Sequence, residues 1–160
     1  MLKRLNYLVG TGFTMGKILP KAPGTEGSLI ALLVGSLLFF YVGWWMLPLL
    51  FFVSVFAGIV TAPDFLVEYG EDPGIFVMDE WAGQLLSMHI VFLLPESTDN
   101  LISIYFLIGS FIGFRFFDIL KPLGIKKSES LGHVTGVMID DIIAGIYTLI
   151  TLFLIILAVL

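Results

Sequence analysis

Residues 137–145 read Val-Met-Ile-Asp-Asp-Ile-Ile-Ala-Gly and open an apolar run that continues to Leu160. Asp140 and Asp141 are the last charged side chains of the chain. A charge inside an apolar membrane segment is costly unless it is paired, solvated or bound to a metal ion. The two adjacent acids therefore predict a bound cation at the head of a membrane helix or, alternatively, a helix N-terminus whose dipole favours anions.

The composition of the whole chain indicates a membrane protein. The 160 residues are 58% hydrophobic and 13% charged, with a mean hydropathy of +1.03, whereas soluble domains are about 45–50% apolar and about 25% charged. We expect one membrane-embedded domain over residues 1–160. The absence of cysteine excludes thiolate metal ligands and cysteine nucleophiles. The net charge of −5 argues against nucleic acid as a partner, and no feature indicates a protein partner.

The apolar segments predict an all-α fold with about five hydrophobic helices. Residues 28–63 would extend about 54 Å as one helix, which exceeds the ~30 Å hydrocarbon core. A corner is therefore expected at Gly43-Trp44-Trp45 with Pro48, giving spans near 28–43 and 47–62. The remaining segments are predicted at 75–94, at about 101–120 and from 137 to the C-terminus.

The stretches between these segments are predicted to be polar turns or loops. Residues 20–28 and 63–74 are rich in proline, glycine and acidic residues, and residues 95–100 form a short polar turn. Residues 1–20 lack the continuous apolar core of a signal peptide. They predict a short amphipathic or partly re-entrant segment.

The basic residues give the chain an orientation. All eight lysines and arginines lie in residues 3–21, 115–121 and 126–127, and the positive-inside rule places these stretches in the cytoplasm. Eleven of the thirteen acids fall on the same side in this topology. The sequence thus predicts a small polytopic membrane protein with a polar site at its cytoplasmic rim.

Two motifs at that rim are candidates for phosphate and metal binding. Residues 24–28, Gly-Thr-Glu-Gly-Ser, are predicted as a glycine–hydroxyl loop that could bind phosphate oxygens through backbone amides; an N-cap made by Thr25 or Ser28 is the alternative. Asp79 and Glu80 begin the third segment, and their oxygens suit Mg²⁺ or Mn²⁺. Adjacent helical side chains point about 100° apart, so only one of the two is expected to reach a metal directly. The alternative is a pair of acids facing water at a helix start.

A third motif combines cations with a carboxylate. Arg115, Asp118 and Lys121 are spaced to share one helix face, which fits either a phosphate group or a self-contained row of ion pairs. His89 is predicted to be a hydrogen-bonded core residue, and His133 is a candidate general acid. With Asp140 and Asp141, these motifs describe metal-assisted phosphate chemistry on a substrate whose tail lies in the bilayer.

At these residues the sequence resembles phosphatidylglycerophosphatase A, a family of bacterial membrane phosphatases. The matching pieces appear in the family's order: residues 23–29, residues 72–74 with Asp79, Glu80 and Gly83, residues 114–122, and residues 138–141 with Ala144 and Gly145. The resemblance implies Mg²⁺-dependent hydrolysis of phosphatidylglycerophosphate to phosphatidylglycerol and inorganic phosphate, at the cytoplasmic face of the bacterial inner membrane.

The sequence and the resemblance together give a hypothesis for each site residue. The predicted metal ligands are Asp79, Glu80, Asp140 and Asp141, with Asp118 as a further catalytic carboxylate. The predicted phosphate-binding residues are Gly24, Thr25, Ser28, Arg115 and Lys121. Water activated by the metal is the expected nucleophile, and a phospho-aspartate is the alternative. A divalent-cation transporter and another metal-dependent lipid phosphotransferase remain as alternative functions.

Overall fold

The structure is a computed structural model that describes residues 2–14, 22–70, 73–122, 125 and 133–159. These residues form helices without any β-strand, which confirms the all-α prediction. The helices whose bounds lie within the described residues follow in order: α1 Leu2–Gly10, α2 Pro23–Tyr41, α3 Met46–Tyr69, α4 Met78–Ser87, the 3₁₀ helix Met88–Leu93, α5 Asn100–Leu120 and α6 His133–Val159.

Four helices of the described chain are long and apolar enough to cross a membrane. They are α2, α3, α5 and residues Gly136–Val159 of α6. The helix α4 does not reach that length, because the segment predicted at 75–94 divides into ten α-helical residues and six 3₁₀ residues. Ala82 and Leu85 of α4 are fully buried, so α4 is a core helix surrounded by the longer ones.

The predicted corner between the first two spans is confirmed. The helix α2 ends at Tyr41, α3 begins at Met46, and Trp44 and Trp45 are exposed at the turn between them. Tryptophan is favoured at the membrane interface, and Pro48 lies in the first turn of α3, where its missing N–H removes no helical hydrogen bond.

Two predicted loops are helical over much of their described length. The stretch 63–74 was predicted as a polar loop, yet α3 continues through Pro63 to Tyr69. Membrane helices tolerate an internal proline. Ala62 and Phe65, on either side of Pro63, are buried inside the protein. The stretch 20–28 was predicted as a turn, but α2 already begins at Pro23 because proline suits the first helical position.

The up-and-down course of the helices brings the polar ends together. The starts of α2, α4 and α6 and the ends of α3 and α5 lie at one end of the molecule, as the sequence predicted. The helix α1 joins them, since its Gly10 carbonyl accepts a hydrogen bond of 2.9 Å from the N–H of Val77, just before α4. Lys126 and Lys127, which were predicted at the same rim, lie outside the described residues.

Candidate active site

The first two carboxylates of the site stand in the first turn of α4. Asp79 Oδ1 accepts a hydrogen bond of 3.0 Å from the backbone N–H of Glu80. The helix dipole favours negative charge at this position. The hydrogen bond between Val77 and Gly10 ties the start of α4 to α1, so both carboxylates project from an anchored helix end.

Asp141 reaches the same place because α4 and α6 cross at two glycines. A methyl group on Gly145 would lie 2.6 Å from the carbonyl oxygen of Gly83, and one on Gly83 would lie 2.5 Å from the carbonyl oxygen of Asp141. Only glycine permits backbones to approach this closely. As a result, one carboxylate oxygen from each of Asp79, Glu80 and Asp141 lies within 4.8 Å of the other two.

This trio has the chemistry of a divalent-cation site. Carboxylate oxygens are the hard ligands that Mg²⁺ and Mn²⁺ take, and Asp141 is buried. Glu80 Oε2 is also buried and has no hydrogen-bond partner, a costly condition that a cation would relieve. Both Asp79 and Glu80 contribute an oxygen to this cluster, and the expectation that only one of them reaches a metal directly stays a prediction. Rotation about the side-chain bonds offsets the 100° between their Cβ directions.

Asp140 is held apart from this trio by a cation. Its Oδ2 forms an ion pair of 2.8 Å with Nζ of Lys121, and its buried Oδ1 has no partner. Lys121 terminates α5 in the left-handed conformation, with φ of 44°, and its ammonium group reaches Asp140, which lies beyond the first turn of α6. The assignment of Asp140 as a metal ligand stays a prediction.

Arg115 and Asp118 form the second charged pair of the site. Arg115 Nη1 lies 2.6 Å from Asp118 Oδ2 and donates a longer hydrogen bond of 3.4 Å to Ser28 Oγ. Its Nε is buried without a partner. Asp118 also interacts electrostatically with Glu80, Asp140 and Asp141. Only part of the predicted row of ion pairs is present, because Arg115 pairs with Asp118 whereas Lys121 pairs with Asp140 outside the motif.

The first turn of α2 borders the site next to Glu80 and Arg115. A methyl group on Gly24 would collide with Glu80 Oε1 and lie 3.3 Å from Arg115 Nη1. Ser28 is fully buried, and its hydroxyl donates to the Gly24 carbonyl at 2.6 Å. The N-cap is Ala22, which makes no side-chain cap, so the interpretation of Thr25 or Ser28 as the cap is wrong. Thr25 lies in the first helical turn, half-buried.

Burial raises the pKa of both α4 carboxyls, which lie outside the four candidate spans. For Asp79, desolvation is the main cause and the neighbouring charge of Glu80 adds to it, so the pKa lies well above the usual range. For Glu80, desolvation raises the pKa while its interaction with the neighbouring Asp79 carboxyl acts in the opposite direction. A positive charge among these oxygens would favour their ionised forms.

Two further polar residues belong to the segment predicted at 75–94, where Gln84 is fully buried and His89 is half-buried. His89 Nδ1 makes a hydrogen bond of 2.8 Å with the carbonyl of Leu85 and its ring packs against Phe51 and Phe92, as predicted for a core histidine. Sequence reasoning missed Gln84, one turn beyond Glu80. Its Nε2 donates to Ser110 Oγ at 3.1 Å while its buried Oε1 has no partner. A single amide within an apolar run was the available signal. The His133 side chain lies outside the described part of the chain.

The fold and the site define a class of protein. The described chain has four helices that are long and apolar enough to cross a membrane. A cluster of carboxylates lies near an arginine and a lysine, which is an arrangement that suits phosphate chemistry at a membrane. The family model described as Phosphatidylglycerophosphatase A matches residues 8–156. The chain belongs to this family of phosphatases, and it is therefore an enzyme with a lipid substrate.

Curated relatives cover most of the chain. A Bacteroides thetaiotaomicron protein provisionally named phosphatidylinositol-3-phosphatase is 38% identical over 91% of this chain and 90% of its own length. Proteins named Phosphatidylglycerophosphatase A from Haemophilus influenzae and Escherichia coli are 34% and 30% identical, over 92% and 88% of this chain and 86% and 77% of their own lengths. No solved structure matches the chain.

Proposed function

We propose that this enzyme hydrolyses phosphatidylglycerophosphate to phosphatidylglycerol and inorganic phosphate, that it needs Mg²⁺, and that it works at the cytoplasmic face of the bacterial inner membrane. The observation that carries the proposal is that three carboxylate oxygens lie within 4.8 Å of one another, near the guanidinium group of Arg115. The relatives named Phosphatidylglycerophosphatase A support the substrate, and the distribution of lysine and arginine supports the orientation.

In this proposal Asp79, Glu80 and Asp141 hold the cation. Mg²⁺ supplies neutralisation of phosphate charge and activation of water when it is bound. The three carboxylates are anchored by helix crossing rather than by a loop, so their spacing is set before substrate arrives. Preset spacing of this kind avoids reorganisation during the reaction.

The phosphate group is held by the cationic side of the site. Arg115 is fixed by Asp118 and directs Nη1 toward Ser28 at the start of α2. Its buried Nε and the adjacent first turn of α2 provide donors for phosphate oxygens. Lys121 and Asp140 neutralise each other, so this pair adds no net negative charge beside an anionic substrate. Water is the nucleophile in this scheme, since the carboxylates of the trio are committed to the cation.

A second substrate has a specific observation in its favour. The Bacteroides thetaiotaomicron relative bears the provisional name phosphatidylinositol-3-phosphatase. Phosphatidylinositol 3-phosphate, like phosphatidylglycerophosphate, presents a phosphate monoester on a lipid headgroup, so the same cluster could hydrolyse either one. The two substrates differ only in the alcohol that leaves, and direct assay separates them.

The test is phosphate release from each lipid in detergent, with Mg²⁺ and with chelator. Asp79→Asn is expected to lower release about 100-fold or more, because it removes a charge from the cation site. Asp99→Asn is the matched control: Asp99 caps α5 at the opposite end of the molecule, accepting from Leu101 and Ile102, and asparagine caps equally well. The control is expected to stay within about twofold of wild type.

Each outcome bears on one part of the proposal. Phosphate release that persists in chelator would refute the requirement for Mg²⁺. Release from phosphatidylinositol 3-phosphate alone would show that this lipid, and not phosphatidylglycerophosphate, is the substrate. A folded protein that releases phosphate from neither lipid would refute the phosphatase function. Uptake of divalent cations into vesicles would then establish the transporter alternative.

A further inference from the structure

A surface on α1, away from the candidate active site, has no role in the phosphatase chemistry. Leu2, Leu5 and Leu8 recur at intervals of three, so they form one ridge on the helix. Their exposed fractions are 74%, 57% and 42%. The opposite side of α1 packs on α3: Asn6 Nδ2 donates to Asp64 Oδ2 at 2.7 Å, and the Tyr7 ring stacks on Phe65. The leucine ridge therefore points away from the protein body.

The length of α3 sets the depth of this helix in the bilayer. Its 24 residues extend about 36 Å, which exceeds a ~30 Å hydrocarbon core. Asp64 and Glu68 are the charged residues of α3, so the end that carries them is the end that emerges into the headgroup region. Because α1 packs on residues 64 and 65 of that end, α1 lies at headgroup depth.

The charged residues of α1 itself, Lys3 and Arg4, are both basic, which suits an anionic bilayer. Lys3 and Arg4 are exposed, and together with Tyr7, Leu8 and Glu68 they line a hollow of about 430 Å³. Glu68 in this hollow is an acid of α3, and Asp64 keeps its negative charge while it accepts from the Asn6 amide. The two acids therefore offset part of the attraction that Lys3 and Arg4 exert on anionic lipid. A helix with leucines on one side and cations beside them is the type that lies in a membrane interface, and basic residues near the surface attract anionic lipids.

We propose that α1 is an interfacial helix that docks on anionic phospholipid, with the leucine ridge at the acyl boundary and Lys3 and Arg4 on lipid phosphates. Apolar residues of α3, among them Val60 and Val67, are exposed as well. The Gly10 carbonyl of α1 receives the Val77 N–H at the start of α4, so the docked helix also supports the helix end that presents Asp79 and Glu80.

The absence of native cysteine allows a clean test on the full chain. Leu5→Cys is labelled with an environment-sensitive fluorophore and reconstituted in phosphatidylcholine vesicles with and without phosphatidylglycerol, with lipids brominated near the headgroup as quenchers. Phe56→Cys, exposed in the middle of α3, is the lipid-embedded reference. Ser97→Cys, exposed in the turn before α5, is the aqueous reference. No substrate is added, so the result is independent of the phosphatase activity.

The label at residue 5 is expected to be quenched by the brominated lipid, more strongly when phosphatidylglycerol is present. Each of the two cations is expected to enrich anionic lipid locally about fivefold. Lys3→Gln with Arg4→Gln should abolish the phosphatidylglycerol effect, and Lys3→Arg with Arg4→Lys should retain it.

Three results would overturn the proposal. An emission like that of the residue 97 label would show that the ridge lies in water. Equal quenching with and without phosphatidylglycerol would show that α1 has no preference for anionic lipid. A signal that disappears on dilution of protein in lipid, with disulfide cross-linking between Leu5→Cys chains, would show that a second copy covers the ridge.

Discussion

Replacing Gly145 by alanine tests whether the crossing of α4 and α6 sets the geometry of the carboxylate trio. The new methyl would lie 2.6 Å from the carbonyl oxygen of Gly83. Ordinary van der Waals contact begins at 3.4 Å, so the helices must separate by about 0.8 Å there. The contact is with backbone, which cannot rotate aside as a flexible side chain can.

The separation falls within one to two turns of all three carboxylates. Asp141 lies four residues before Gly145, and Glu80 lies three residues before Gly83. A misplacement of about 1 Å at a catalytic site can lower the rate about 100-fold, so a loss of that order is expected in kcat. Overpacking should also lower the free energy of unfolding by about 1–3 kcal/mol.

The assay is phosphate release at saturating Mg²⁺, with thermal unfolding in detergent as a parallel measurement. Gly109→Ala is the matched control, because Gly109 is a glycine of α5 whose added methyl would meet Leu152 at an ordinary 3.4 Å. The control should retain activity and stability. If Gly145→Ala keeps wild-type activity in a folded protein, the glycine crossing does not set the catalytic spacing and the reasoning fails.

Two other substitutions probe the remaining sides of the site. Gly24→Ala should leave the thermal unfolding midpoint almost unchanged but reduce phosphate release, because its methyl would displace the flexible ends of Glu80 and Arg115; equal release by variant and wild type would refute this placement. Lys121→Gln should destabilise the protein by about 3 kcal/mol, since the buried Asp140 would lose its cation. Lys121→Arg should recover most of that loss in the same unfolding measurement, and a midpoint unaffected by Lys121→Gln would show that the ion pair contributes nothing.

Helix positions and the grouping of charges could be predicted because both follow from local composition. Long apolar runs that end at tryptophan, proline or charged residues predicted two features closely. These are the bounds of α5 and the corner before α3. The helical continuation through Pro63 was missed. A proline reads as a stop in sequence, whereas the buried side chains beside it favour a continuous helix in the fold.

The sequence alone determined that this is an all-α membrane protein with its acids and cations gathered at one end, because hydrophobicity and charge spacing act within each segment. Only the tertiary structure decided which acids meet. The trio of Asp79, Glu80 and Asp141 depends on backbone contact between Gly83 and Gly145, and Asp140 is paired instead because the end of α5 places Lys121 beside it. Adjacent acids look equivalent in a sequence, but helix crossing points them to different partners.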